Sequence, residues 1–326
     1  MILDLTPTTA ASYLASRGAH LTAPTIRELG GGISNTVLLI ESPEQRFVVK
    51  QSLGKLRVEQ EWIAGRERIF RESAVLKKLA PYLPAASLPQ VLFEDRDNFA
   101  FAMTAAPATA ASWKDQLLAG EIEIETARQV GALLARIVTV SWRDPAWEQD
   151  FGDQTIFDQL RIDPYYRATA RKHPDLAPHA ARLIEQSASR RVSLTHGDWS
   201  PKNFLVDGPH VMAIDFEVIH FGDPSFDSAF LLNHLLLKSF HRPQWADHYT
   251  EAAVAFWQTF VNGVPDASWI EPATLQHMGW LLLARIDGKS PAEYIRDPTL
   301  QEKIRRFARQ MILSPSHSVS EVFNAL

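Results

Sequence analysis

Leu194 to Val206 reads LTHGDWSPKNFLV, and Val211 to Asp227 continues as VMAIDFEVIHFGDPSFD. Short apolar strands are predicted directly before His196 and directly before Asp215. Asp198 and Asn203 stand five apart on the loop between them, and Asp215 follows twelve residues after Asn203. Taken singly, each is an ordinary turn residue whose side chain caps its own loop. Together they form the layout that phosphoryl transfer requires. One Asp sits beside an acceptor hydroxyl, an Asn holds the metal, and a second Asp bridges Mg²⁺ to the nucleotide phosphates. Mg²⁺ takes oxygen ligands and keeps several waters, so two or three side chains suffice. Asp198 is therefore the candidate catalytic residue, with Asn203 and Asp215 as candidate metal ligands.

Upstream, Gly30-Gly31-Gly32-Ile33-Ser34-Asn35-Thr36 joins two predicted strands, Thr25 to Leu29 and Thr36 to Ile40. Lys50 lies near the end of the next strand, Arg46 to Gln51, after a Ser42-Pro43-Glu44 turn. Glycine lets backbone amides approach phosphates closely, and a strand lysine supplies a fixed positive charge to the α- and β-phosphates. The loop is not a Walker loop, since no GK[ST] follows, and Asn35 holds the place of a dinucleotide motif's third glycine. Gly31, Gly32, Ser34, Asn35 and Lys50 are thus the candidate nucleotide-binding residues. A helix predicted from Trp62 to Leu79 offers Glu72 as the partner of Lys50 on helix phase, with Glu67 as the alternative.

Two more strands, Val91 to Phe93 and Phe99 to Met103, complete a small α+β lobe. From Ala105 the composition changes: AAPATAAS reads as a connector, and the chain beyond it is mainly helical. Helices are predicted over Glu125–Val138, Leu176–Ala188, Phe226–Phe240, Ala246–Val261, Pro272–Arg285 and Leu300–Leu313. The lobes are accordingly 1–106 and 107–326. The chain of 326 residues is 46% hydrophobic and 22% charged, a composition that excludes general disorder. Its 33 basic and 38 acidic residues give a net charge of −5, which argues against a nucleic-acid partner. With no cysteine, disulfides, thiol nucleophiles and thiolate metal sites are excluded. The longest apolar runs fall short of the ~18–20 residues that cross a bilayer, and MILDLTPTTAAS has no basic leader region. A cytoplasmic protein with no membrane partner is expected. The eleven histidines show no HExxH spacing, and no GxSxG elbow is present, so neither zinc nor serine hydrolase chemistry has a foothold. Nothing in the pattern sets an oligomeric state.

The glycine-rich hairpin, strand Lys50, helix Glu72, HGDxxxxN and IDxE together resemble the aminoglycoside phosphotransferase/choline kinase superfamily. The resemblance implies a bilobal protein-kinase-like α+β fold, with a small antiparallel N-lobe sheet and one long helix beside a larger helical C-lobe. It also implies ATP as co-substrate, a small hydroxylated metabolite as acceptor, and adenine held against backbone near Met103 and Ala105. By the same D-x-E pattern Glu217 is an additional metal ligand, and Asp227 braces the catalytic loop. Protein kinases carry Arg in place of Gly197 and DFG in place of Asp215-Phe216-Glu217, which points toward small-molecule acceptors.

A narrower likeness is to 5-methylthioribose kinases. It rests on KQSLGKLRVEQEW from Lys50, FGDPSFDSAFLLNHLLLKSF from Phe221 and LLARIDGKSPAEYIRDP from Leu282. That likeness implies a sugar-like acceptor gripped by Arg285, although Ala284 stands where those kinases have a second arginine. The DWSPKN loop also departs from theirs, which contains His and Gly. Trp199, beside Asp198, is a candidate wall of the acceptor pocket. The rival readings are an aminoglycoside- or choline-type phosphotransferase and a non-catalytic nucleotide-binding protein of the same fold.

Overall fold

Residue alternation sorts the first hundred positions into a sheet with two distinct faces. The computed structural model describes residues 2–30, 34–54 and 65–326. A short helix α1 (Ala10–Ser16) precedes strands β1 (Thr25–Glu28), β2 (Asn35–Glu41) and β3 (Arg46–Ser52). Helix α2 (Arg68–Leu79) then leads to β4 (Val91–Asp95) and β5 (Ala100–Thr104). All five strands form one antiparallel sheet in the order β1-β2-β3-β5-β4. Because side chains alternate along a strand, Phe47, Val49 and Gln51 share one face of β3, and Val48 and Lys50 share the other. The first face joins Leu38, Ile40, Ala100 and Ala102 and is closed by Leu5, Tyr13 and Leu14. Gln51 ties the N-terminal segment down, accepting from the Leu5 amide at 2.8 Å and donating to the Leu3 carbonyl at 2.7 Å. Lys50 on the opposite face is directed at α2, which packs on β3, β4 and β5.

Gly31 and Gly32, the predicted helix start at Trp62 and most of the segment after Lys50 lie outside the described residues. Residues 65–67 are not helical, and α2 begins at Arg68. Gly65 stands just ahead of it, and glycine disfavours a helix interior by about 1 kcal/mol.

The chain separates into two units, Met1–Thr109 with Met212–Glu217, and Ala110–Val211 with Val218–Leu326. A single cut after residue 106 therefore misses that Met212–Glu217 belong with the sheet. Within that unit the Ala213 amide donates to the Ser87 carbonyl at 2.9 Å. No local periodicity announces such a return.

The second unit opens with β6 (Ala111–Ser112), α3 (Trp113–Ala119), α4 (Ile124–Ser141), α5 (Pro145–Phe151) and α6 (Thr155–Phe157). A π-helical segment, Asp158–Arg167, leads into α7 (Ala168–Lys172) and α8 (Ala177–Ser189). Pro164 lies inside that segment and has no amide to donate, so regular α winding cannot persist there. Short strands come next: β7 (Ser193–Thr195), β8 (Phe204–Asp207), β9 (His210–Ala213), in which the chain passes to the first unit, and β10 (His220–Gly222). β7 pairs with β10, His220 opposite Thr195, and β6, β8 and β9 form a second small sheet. The chain ends in α9 (Ser225–His241), α10 (Ala246–Gly263), α11 (Ile270–Asp287), α12 (Pro298–Leu313) and α13 (Val319–Asn324). α9 is apolar nearly all round and is buried along almost its whole length, as such a helix must be. It packs on α10 and α11, with α4 against α10 and α12 against α11. No helix among the described residues is long and apolar enough to cross a membrane.

Asp95, at the end of β4, accepts from the Tyr13 hydroxyl at 2.9 Å and from Asn98 at 2.8 Å, and pairs with Arg17. Burial opposes its ionisation, but these donors outweigh burial and hold the carboxyl below the usual aspartate value of 3.8. A depressed folded value means that the stabilisation is complete above about pH 4 and is lost as pH falls through the folded value. Asp95→Asn is expected to lower the unfolding free energy by about 1–3 kcal/mol at neutral pH. Denaturant titrations should show parent and variant converging below about pH 4.

Candidate active site

In the first unit, Lys50 Nζ lies 2.6 Å from Glu72 Oε2 and 2.6 Å from Asp215 Oδ1, with both Lys50 and Glu72 buried. The helix phase therefore selects Glu72, while Glu67 sits at the N-terminal end of α2. Burial alone would depress the Lys50 ammonium, but Asp215, Glu72 and Glu217 outweigh it and hold the group above the ordinary lysine value. Burial pushes the Glu72 carboxyl up, against the pull of Lys50. Glu72 Oε1 also accepts from the Phe216 amide at 3.2 Å, fixing the backbone beside Asp215. Asp215 itself adopts φ +68°, a left-handed conformation that short Asx side chains tolerate better than most.

Glu217, expected as an additional metal ligand, is hydrogen-bonded within the first unit. Its Oε1 accepts from Ser34 Oγ at 2.6 Å, and its Oε2 accepts from Asn35 Nδ2 at 2.8 Å and Arg68 Nε at 3.0 Å. Both oxygens are thus engaged by the glycine-rich turn and α2, and the side chain acts as a structural acceptor. Ser34 and Asn35 commit their side chains to this contact, so only their backbone amides could face a phosphate. Met103 lies within β5 opposite Val48 and Val91, and Ala105 follows the strand's end.

In the second unit, the paired strands β7 and β10 flank the loop carrying Asp198. Asp227, at the start of α9, accepts from the amides of His196 at 2.5 Å and Gly197 at 2.8 Å. Burial drives its carboxyl up to about 7, although those two amides favour the charged form. The Asp198 amide donates to His196 Nδ1 at 3.1 Å, so the histidine shapes the loop. Gly197 has φ +77°, and a Cβ there would meet Val218 Cγ1 at 2.8 Å and the Val218 carbonyl at 3.1 Å. Only glycine fits. Three donors converge on Asp198 Oδ2: Lys202 Nζ at 2.9 Å, Asn203 Nδ2 at 3.0 Å and Arg161 at 3.2 Å. Arg161 also donates to the Gly197 carbonyl. Sequence reasoning missed Arg161, because a π-helical turn 37 positions upstream carries no spacing signal. Lys202 was legible, four residues from Asp198 in the same motif.

Trp199, expected as a wall of the acceptor pocket, faces inward. It is fully buried, edge-on to Phe204 with ring centres 4.7 Å apart and 5.2 Å from His196, so it supports the loop from the core. Arg285, near the end of α11, donates to the Ser290 hydroxyl at 2.8 Å and to its carbonyl, while its Nε has no partner among the described residues.

Asn203 turns its Nδ2 to Asp198, which directs its carbonyl oxygen the other way. Asp215 is about a quarter exposed. Both offer the hard oxygens that Mg²⁺ prefers. Among the described residues no cluster of three or more His, Asp or Glu side chains could hold a metal.

A profile of the phosphotransferase enzyme family (APH) matches residues 25–260. The chain belongs to this phosphotransferase family. Methylthioribose kinase 2 of Oryza sativa subsp. japonica is 25% identical over 267 residues, covering 73% of this chain and 62% of its own length. Methylthioribose kinase of Exiguobacterium sibiricum is 23% identical over 269 residues, covering 73% and 68%. The aligned part thus spans about three-fifths of the rice relative. The chain shares its fold with an amicoumacin kinase solved with AMP-PNP, Ca²⁺ and Ami, at TM-score 0.58, 14% identity and 97% coverage of both chains. Aminoglycoside phosphotransferase APH(2'')-Ib bound to ADP matches at TM-score 0.52 and 14% identity, covering 98% of this chain and 99% of its own. The expected α+β protein-kinase-like class and superfamily are thereby met.

Glu217→Gln separates a structural role from a metal role. Replacing the carboxylate removes the ion pair that Glu217 makes with the buried Arg68 guanidinium, which should destabilise the fold by about 3 kcal/mol in denaturant unfolding. A variant of parental stability with an altered Mg²⁺ requirement would return Glu217 to the metal.

Proposed function

We propose that this protein transfers the γ-phosphate of ATP to a hydroxyl of a small, sugar-like metabolite. The observation that carries the proposal is Asp198, one oxygen of which is held by Arg161, Lys202 and Asn203 on a loop pinned by Asp227. A carboxylate oriented this firmly suits a base that must meet one hydroxyl in one geometry. The acceptor oxygen attacks the γ-phosphorus, its proton passes to Asp198, and the bond to the β–γ bridging oxygen breaks to leave ADP. A loose transition state needs little prior deprotonation, so the proton moves late.

Lys50, charged and fixed by Glu72, neutralises the α- and β-phosphates. Backbone amides of Ser34 and Asn35 approach the phosphates, the sequence motif adds Gly31 and Gly32, which lie outside the described residues, and adenine lies against the backbone from Met103 to Ala105. Asn203 and Asp215 would hold Mg²⁺, which supplies neutralisation of β- and γ-phosphate charge when bound. Family membership supports the reaction class, and the likeness to proteins named methylthioribose kinase supports a sugar-like acceptor. The AMP-PNP and ADP complexes of the structural neighbours support the nucleotide.

Radiolabelled transfer from ATP over a panel of hydroxylated metabolites tests the reading. Asp198→Asn should lower kcat on the best acceptor by about 10²–10⁴-fold. Its ATP affinity, measured by calorimetry, should stay at the parental value. Near-parental turnover in that variant would remove Asp198 from the chemistry.

A further inference from the structure

Helix α9 links the catalytic loop to a buried cationic cluster. Asp227 in its first turn clamps the loop, and Phe230, His234 and Lys238 recur at three- and four-residue spacing along the same face. The Arg161 guanidinium that pairs with Asp198 lies 5.7 Å from the Phe230 ring centre, and the His234 ring lies 5.3 Å from it on the same helix. Lys238 is eleven residues beyond Asp227, about 16 Å along the axis, with its side chain slanting back toward the helix N-terminus.

Lys238 is fully buried. Its ammonium reaches the His234 carbonyl at 3.4 Å and lies 5.6 Å from the Tyr294 ring centre. Among the described residues no carboxylate stands within ion-pair distance of it. Lys114 on α3 and Arg285 on α11 share a single counter-ion, Glu293, which pairs with Lys114 and stands 4.0 Å from Arg285. Among the described residues the Tyr294 hydroxyl and Arg285 Nε are buried without hydrogen-bond partners. Burial, reinforced by Lys114 and Arg285, pushes the Lys238 ammonium down to about 7; Glu293 and Asp115 pull weakly the other way. His234 is held well below its ordinary value by burial and by Arg285, Lys238, Lys202 and Lys114. Lys202, the partner of Asp198, therefore contributes to the same positive field.

A buried ammonium without an anion is expensive to maintain, whereas a charged ligand that pairs with it removes the penalty. Tyr294, whose ring lies against Lys238, and Arg285, which shares Glu293 with Lys114, add donors suited to an oxyanion. We propose that the acceptor carries an anionic group, a carboxylate or a phosphate, seated on Lys238 with the Tyr294 hydroxyl, while its reactive hydroxyl lies at Asp198. This names the acceptor class of the proposed kinase reaction and rests on it.

The test is calorimetric titration of D-ribose, D-ribonate and D-ribose 5-phosphate into the full chain, its Lys238→Met variant and its Arg285→Gln variant. The parent should bind one of the two anions about ten-fold or more tighter than ribose. Which anion is preferred identifies carboxylate or phosphate. Lys238→Met should bring all three ligands within about two-fold of each other, and Arg285→Gln should narrow the gap in the same direction. Equal binding of the three ligands by the parent, absence of binding included, overturns the proposal, and so does an anion preference that survives Lys238→Met. ATP·Mg²⁺ titrated into the same samples reports separately on the kinase reading. If ATP binds while the anion preference is missing, only the acceptor class fails; if ATP does not bind, the kinase reading fails.

Discussion

One buried ammonium organises the first unit. Lys50 is placed on the α2 face of the sheet by strand alternation, and two carboxylates at 2.6 Å make its burial tolerable. One of them, Glu72, comes from the neighbouring helix. The other, Asp215, comes from a segment more than a hundred and sixty residues away in sequence, so the chain must return to the sheet to supply it. Met212–Glu217 make that return, and a second ion pair, Arg68 with Glu217, reinforces it. Asp215 is thus fixed by the same charges that hold Lys50.

What was legible in the sequence was local. Apolar spacing marked the five strands and the main helices, and helix phase separated Glu72 from Glu67. The HGDxxxxN spacing delivered Asp198 and Asn203 as hydrogen-bonded neighbours. What failed depended on pairs that leave no period. Glu217 meets Arg68 across 149 positions, and nothing in D-x-E spacing reveals that its oxygens are already engaged. Arg161 reaches Asp198 from a π-helical turn built around Pro164. Trp199, beside Asp198 in sequence, sits at a tight turn in which the Ser200 amide donates to the Asp198 carbonyl at 2.8 Å, and its ring packs on Phe204 and His196.

In the second unit the informative residues are the polar exceptions on an apolar helix. α9 is buried almost throughout, yet it carries Asp227, His234 and Lys238. Buried ionisable groups persist only where something compensates them. For Asp227 the compensation is visible as two loop amides. For Lys238 no anion stands opposite among the described residues, and an acceptor's own charge would complete the balance. Family membership supports the proposed reaction, and the proposed acceptor chemistry rests on these departures from an all-apolar core.

The most direct measurement is ATP affinity as a function of Mg²⁺ concentration in the parent and in Asp215→Ala. Lys50 keeps Glu72 in that variant, so the fold has its main ion pair while the proposed metal ligand is removed. The parent should bind ATP more tightly as Mg²⁺ rises, and the variant should show a flat, weaker affinity. An unchanged Mg²⁺ dependence in Asp215→Ala would contradict the central role given to this carboxylate and place the metal elsewhere.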